Sequence, residues 1–215
     1  MRWKSSHGFQ IVLFCLLIPS FSWAGTPPGS VLFQNRTHSI RIRYESTETF
    51  PSLQKKVGLT VGIAPIKDTK QGRLYVGHYL YGRVSNHLRC EPFPLEDAIR
   101  DSIVQLLSLQ GIKTVPISNW DGKEESLMDL GADSVLAIDI KRFWAEGTVA
   151  GRGTNVSTSI YLVIRLGVKK ERRIFVRDMY TLKKDSTVRL TPAVAEQTIN
   201  ETLAELLDTF FSDPY

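Results

Sequence analysis

Cysteine is almost missing from this chain. Two of its 215 residues are cysteines. Cys15 lies in an apolar N-terminal run, so Cys90 has no internal partner, and a disulfide framework is excluded. A lone thiol is then either buried or a site for an intermolecular bridge. Histidine is scarce too, at four residues. His78, His87 and Cys90 invite a metal reading, but structural zinc sites use four ligands in close pairs. Only His87 and Cys90 are close here, so no metal is expected. Long apolar runs are missing too. Ile11–Ile18 (IVLFCLLI) is the longest near the N-terminus and is less than half of the ~20 residues a spanning helix needs. No large charge excess remains either. The 27 Lys and Arg stand against 22 Asp and Glu. Setting aside residues 1–24, which hold Arg2 and Lys4 and no acids, lowers the excess from five to three. With the basic residues dispersed, nucleic acid is not an expected partner. No segment repeats, and none is of low complexity. No cofactor motif is present: GRGTN (151–155) joins two strands and opens no helix, as a dinucleotide loop must. No nucleophile elbow occurs.

What is present begins with the N-terminus. A basic head at Arg2 and Lys4, the short apolar run, a break at Pro19-Ser20, and small residues in Ser22-Trp23-Ala24 are the parts of a secretory signal peptide. We expect cleavage after Ala24, a flexible lead-in over 25–38, and a single domain over 39–215. The expected location is periplasmic, with no transmembrane segment after cleavage.

Periodicity then gives the elements. SIRIRY (39–44) reads as an edge strand with isoleucines in and arginines out. VGLTVGIAPI (57–66) alternates, with Val57, Leu59, Val61 and Ile63 on one face. Residues 73–94 read as a loop or short irregular strands. Leu95, Ala98, Ile99, Ile103, Leu106 and Leu107 form a helical stripe. Glu96 and Asp97 sit in its first turn, and Gly111 stands at its end. IKTVPI (112–117) is a strand, and 123–130 a short helix. Strands follow over 134–144, 156–170 and 173–184, with KKERR (169–173) as a hairpin turn. Thr191-Pro192 opens a last helix as N-cap and first residue. The expected fold class is α/β (an α+β-like layer): a mixed, largely antiparallel sheet with two long helices packed on one face.

Strand parity selects the candidate site. Leu136, Ile138 and Ile140 belong against the helices. Asp139, Lys141 and Phe143 fall on the opposite face. The neighbouring strands add Tyr161 and Arg165, then Arg177 and Met179. Asp139 lacks a base or nucleophile partner, so an ion pair with a cross-strand cation is expected rather than catalysis. Aromatic residues, Met and Arg are enriched at protein interfaces. These seven residues therefore form the candidate partner face, with Tyr161 and Phe143 as anchors.

VGIAPIKDTKQG, PLEDAIRDSIVQLLSLQGIKTV, GADSVLAIDIKRFWAEG, VSTSIYLVIRLGVKK and the final helix together resemble the YajG-type family of envelope lipoproteins. They are more distantly similar to auxiliary lipoproteins of ABC-type lipid and solvent export systems. Asp68-Thr69-Lys70 and Leu109-Gln110-Gly111 are the motif-like pieces. The resemblance implies a periplasm-facing α/β domain without enzymatic chemistry. Members are usually acylated at a cysteine just after the signal, and this chain has none there. The expected function is a non-enzymatic envelope module that binds an envelope protein or a second copy of itself. Peripheral association with the outer membrane stays open. The alternative is an auxiliary component of an ABC-type lipid or solvent transport system with an apolar groove.

Overall fold

One long strand organises the sheet. In the computed structural model, which describes residues 34–45, 48–70, 73–118, 120–150 and 153–215, the chain begins with β1 (Gln34–Arg41), α1 (Leu53–Val57), β2 (Thr60–Ile63), β3 (Lys67–Asp68), β4 (Gly77–Tyr81) and β5 (Val84–Glu91). It continues through α2 (Leu95–Leu109), β6 (Lys113–Pro116), α3 (Glu124–Leu127), β7 (Ser134–Ala150), β8 (Gly153–Val168), β9 (Arg173–Thr187) and α4 (Pro192–Ser212). The signal segment and its expected cut after Ala24 lie outside the described residues.

The two edges of β7 are used differently. One edge pairs antiparallel with β8 along its whole length, and β8 pairs antiparallel with β9. The other edge takes three short parallel strands in succession: β2 at Ser134–Leu136, β3 at Asp139–Ile140, and β4 at Ala145–Gly147. β6 extends the sheet beyond β2, and β5 and β1 extend it beyond β4. The sheet is therefore mixed, antiparallel in the long β7–β8–β9 meander and in the β4–β5 hairpin, and parallel elsewhere. It also outweighs the helices, at 45% strand against 26% helix of the described residues, and two short helices join the two long ones.

The helix signals act as read. Gly111 takes φ +70° just past α2, the left-handed position that closes a helix without a Cβ penalty. Thr191 Oγ1 accepts from the Val194 N–H at 3.3 Å, and Pro192 occupies the first turn, where no N–H is needed. The apolar stripes of α2 and α4 share one core with Leu136, Ile138, Ile140 and the inward residues of β8. A second, smaller core lies on the opposite face, where Leu127 of α3 packs with Ala64 and Val135. Gly167 belongs to that contact, because a Cβ there would sit 3.1 Å from the Trp120 ring.

Several expectations need correction. β1 starts at Gln34, so residues 34–38 are strand rather than lead-in. Val57 closes a helix and Leu59 is 63% exposed, so their alternation with Val61 and Ile63 does not describe one strand. The Asp133 carboxylate accepts the N–H groups of Leu59 and Thr60, both at 2.9 Å, and Gly58 turns at φ +88° to present them. Residues 77–91 form an ordinary hairpin, turned at Gly82. Cys90 lies inside it, fully buried, and burial pushes its thiol up to about 11. The intermolecular-bridge alternative falls with that burial. His87 points to the other side of β5, so His87 and Cys90 cannot share an ion.

The most consequential departure is inside β7. The ladder to β8 slips between Ile140 and Arg142, leaving Lys141 as an extra residue. A bulge of this kind exchanges the faces of everything beyond it. Before it Leu136, Ile138 and Ile140 are buried; after it Phe143 and Ala145 are. The loop after β3 fastens the bulge. Thr69 donates to the Ile140 carbonyl through its N–H at 3.1 Å and its hydroxyl at 3.0 Å. Arg73 Nη2 donates to Asp68 Oδ1 at 2.9 Å, and Nη1 donates to the Phe143 carbonyl at 2.6 Å. Arg73 Nε lies 2.9 Å from Asp68 Oδ2, a charge contact rather than an aligned hydrogen bond. Asp68-Thr69-Lys70 thus does structural work, holding a buried ion pair against the strand.

Candidate partner-docking face

The α2 and α4 helices leave the outer face of the meander uncovered, and α3 occupies only its β7-start end. Registration fixes which side chains that face presents. Across β7 and β8, Asp139 lies opposite Val163, Ala137 opposite Arg165, and Arg142 opposite Tyr161. Across β8 and β9, Tyr161 lies opposite Tyr180, Val163 opposite Asp178, and Arg165 opposite Val176. Paired residues share a face, so this is one continuous surface.

Four of the seven residues expected on this face are there. Asp139 is mostly buried and holds two cations, Arg165 Nη2 at 3.2 Å and Lys141 Nζ at 3.5 Å. Its surroundings are those of an ion-pair centre. Tyr161 donates its hydroxyl to Asp178 Oδ1 at 2.9 Å. That hydrogen bond raises the Tyr161 phenol above its usual range. The Tyr161 and Tyr180 rings meet edge to face at 6.2 Å between centroids.

The other three are not. Phe143 is fully buried in the main core, because the bulge turns it inward. Arg177 and Met179 face the helices. Arg177 lies opposite Ile164, and Met179 opposite Leu162, both core residues. Arg177 reaches the end of α4, donating to the Asp213 carbonyl at 3.1 Å and lying 3.5 Å from its carboxylate. Phe175, on the same side, stacks on Tyr215 at 4.3 Å.

The residues that replace them are Val176, Tyr180 and Leu182, exposed by 57%, 58% and 44%. Parity counting within β9 alone assigns them to the core, since they are its more apolar set. The missed signal is the hairpin. Val168 is inward, and a four-residue turn places Arg173 directly opposite it. Every second residue from Arg173 is therefore inward, and Val176, Tyr180 and Leu182 are outward. Their strand also has a free side, since among the described residues β9 pairs with β8 alone.

Beside this face lies an open cleft of about 600 Å³ where β3, only two residues long, meets β7. Lys67, Asp68, Glu96, Asp139 and Lys141 line it. Asp68 and Asp139 are already committed to Arg73, Arg165 and Lys141. A second open groove, about 590 Å³, runs along α4 and is acidic, with Glu45, Glu48, Glu201, Glu205 and Asp208 on its walls.

No protein-family model and no curated protein matches the sequence. Solved structures do. A crystal structure of an uncharacterised protein aligns over 85% of this chain and 100% of its own, at 12% identity and a TM-score of 0.51. Looser matches are the hypothetical protein CT253 from Chlamydia trachomatis and lipoprotein GNA1162 from Neisseria meningitidis. CT253 is 12% identical over 71% of this chain and 90% of its own, with a TM-score of 0.41. GNA1162 is 10% identical over 69% and 98%, with a TM-score of 0.37. At these identities the first match speaks to the fold alone.

Proposed function

We propose that this protein is an exported, periplasm-facing module of the YajG-like kind that works by docking a protein partner, without covalent chemistry of its own. The observation that carries the reading is the alignment of Val176, Tyr180 and Leu182, three large apolar side chains exposed on a strand with a free edge. An edge strand of 15 residues offers a partner unpaired backbone groups along one side. The apolar ridge supplies anchors, and Asp139, Arg165 and Lys141 supply a charged border that sets orientation. Export rests on the basic head, apolar run and Ser22-Trp23-Ala24 of the leader. No helix among the described residues is long and apolar enough to cross a membrane. The transport-auxiliary alternative calls for an apolar groove, and the two largest clefts described above are lined mainly by charged side chains.

Site-specific photo-crosslinking in intact cells tests this. A crosslinker at Tyr180 or Leu182 should give a discrete adduct, and one at Leu109, equally exposed on α2, should not. An adduct of twice the chain mass identifies the partner as a second copy. Equal, diffuse labelling at all three positions would reject the docking face. N-terminal sequencing of the same preparation should read from Gly25; a start at Met1 would reject export.

A further inference from the structure

The helix face of the sheet is incompletely covered. Near the N-terminus of α4, the strands β1, β5 and β4 present Arg36, His38, Asn86, Tyr79 and Tyr81 beneath the Arg189–Pro192 turn. Together they enclose a cleft of about 150 Å³. That volume suits a head-group-sized ligand and excludes a peptide or a sugar chain.

Three features of the cleft point to an anion. The first is charge. Arg36 and Arg189 line it, neither forms an ion pair among the described residues, and no carboxylate lines it. The α4 groove is the reverse, with five carboxylates on its walls. The second is how Arg189 is held. Its guanidinium lies over the Tyr81 ring at 4.5 Å from the centroid. The guanidinium meets an aromatic ring rather than a carboxylate, so its N–H groups remain available to an oxyanion.

The third is Tyr79. Its side chain lines the cleft at 5% exposure, and its hydroxyl, which keeps contact with solvent, makes no hydrogen bond to any described residue and is free to donate to a ligand. Burial raises its phenol above the usual range, against a smaller opposing effect of Arg189, so it stays protonated as a donor at neutral pH. His38 Nε2 lies 2.9 Å from Asn86 Oδ1, and Asn86 in turn donates to the Val84 carbonyl, which fixes the imidazole at the rim. The start of α4 adds its positive end but few open donors: Pro192 has no N–H, and Thr191 occupies that of Val194.

We propose that this cleft binds a phosphate-monoester group, carried by a soluble small molecule or by a lipid head group. Two arginines match a charge near −2, and the Tyr79 hydroxyl supplies a third donor to a tetrahedral set of oxygens. The site is separate from the docking face, and neither reading depends on the other.

The test uses the purified full chain with inorganic phosphate as probe, read by calorimetry and by the melting temperature. Saturable binding and a phosphate-dependent rise in melting temperature are expected. Arg189→Ala and Arg36→Ala should each weaken binding on the order of tenfold or more. Tyr79→Phe keeps the ring, so it should melt like the parent without phosphate and lose most of the phosphate-dependent rise. A second arm uses phosphatidylcholine vesicles with and without phosphatidic acid. Sedimentation with phosphatidic acid that is lost in Arg189→Ala assigns the group to a lipid; phosphate binding without sedimentation assigns it to a soluble ligand. No phosphate binding at millimolar concentration, or binding indifferent to all three substitutions, overturns the proposal.

Discussion

The two sides of β9 carry similar residues and meet different surroundings. One side bears Phe175, Arg177, Met179 and Lys183; the other bears Val176, Asp178, Tyr180 and Leu182. The first is the more basic and the less apolar, yet it lies against α4. Its cations meet the acids of that helix, Arg177 at Asp213 and Lys183 Nζ at Glu201 Oε2, 2.8 Å away. Its apolar residues, Phe175 and Met179, pack on the core between them. The second side has no helix opposite and keeps its apolar residues in water. Long cations can lie over apolar surface and still reach a partner. Apolar content alone therefore does not say which side of an edge strand is inside. Complementary charge on the covering helix, and the register imposed by the hairpin, decide it.

This contrast can be tested by substitution. The largest effect belongs to Phe143, which the bulge moves from the open face to the core. Phe143→Ala should cost ~3–5 kcal/mol in urea unfolding, as deletion of a buried aromatic ring does. A cost under about 0.5 kcal/mol, typical of surface positions, would return Phe143 to the open face. A smaller effect separates the two sides of β9. Phe175→Ala, which removes the stack on Tyr215, should cost about 1–2 kcal/mol, and Tyr180→Ala about 0.5 or less. Equal costs would erase the distinction.

The smallest effect is electrostatic. The Lys183 ammonium holds the Glu201 carboxyl below its usual range, with Gln197 helping, and Glu201 raises Lys183 in return. The carboxylate's contribution is present above about pH 4.5, its unfolded value, and is lost as pH falls through the lowered folded value. The ammonium's contribution is present below about 10.5 and is lost as pH rises past its raised value. Both groups are partly exposed, so the pair contributes well under ~1 kcal/mol. Glu201→Gln should be slightly less stable than the parent at pH 7, and the difference should shrink as pH falls below about 4.5. A difference that does not shrink on acidification would assign the loss to packing instead.

Much of the fold is legible in the residues. The α2 stripe, Gly111, Thr191-Pro192 and the alternation of β8 each report a local rule, and the structure follows each. The failures share a cause: they depend on where one segment meets another. Phe143 goes astray because one bulge residue shifts the period, although the switch from Leu136, Ile138 and Ile140 to Phe143 and Ala145 is visible once the strand is read to its end. Arg177 and Met179 go astray because the parity of β9 is set by its hairpin with β8 and not by its own apolar content. Leu59 leaves the strand because Asp133, distant in sequence, claims its N–H. The cleft at the start of α4 has no linear signature. Arg36, Tyr79 and Arg189 come from three segments that only the sheet brings together.

The pairing of β7 also orders events in time. The strands of the meander lie two and four residues apart in sequence, so it can form as soon as residues 134–187 are present. The strands β2, β3 and β4 precede it in the chain but find their shared neighbour only in β7, about 70 residues later. β1 pairs with β5 only 50 residues later, but its last contacts wait for the final helix. Asn200 of the last helix donates to the Arg41 carbonyl and accepts from the Arg43 N–H, sealing the first strand to the end of the molecule. A chain delivered N-terminus first, from a ribosome or across a membrane, therefore exposes β2, β3 and one edge of β4 before their shared neighbour exists. Its apolar strands need shelter over that interval, and the final twenty residues act as the latch that ends it.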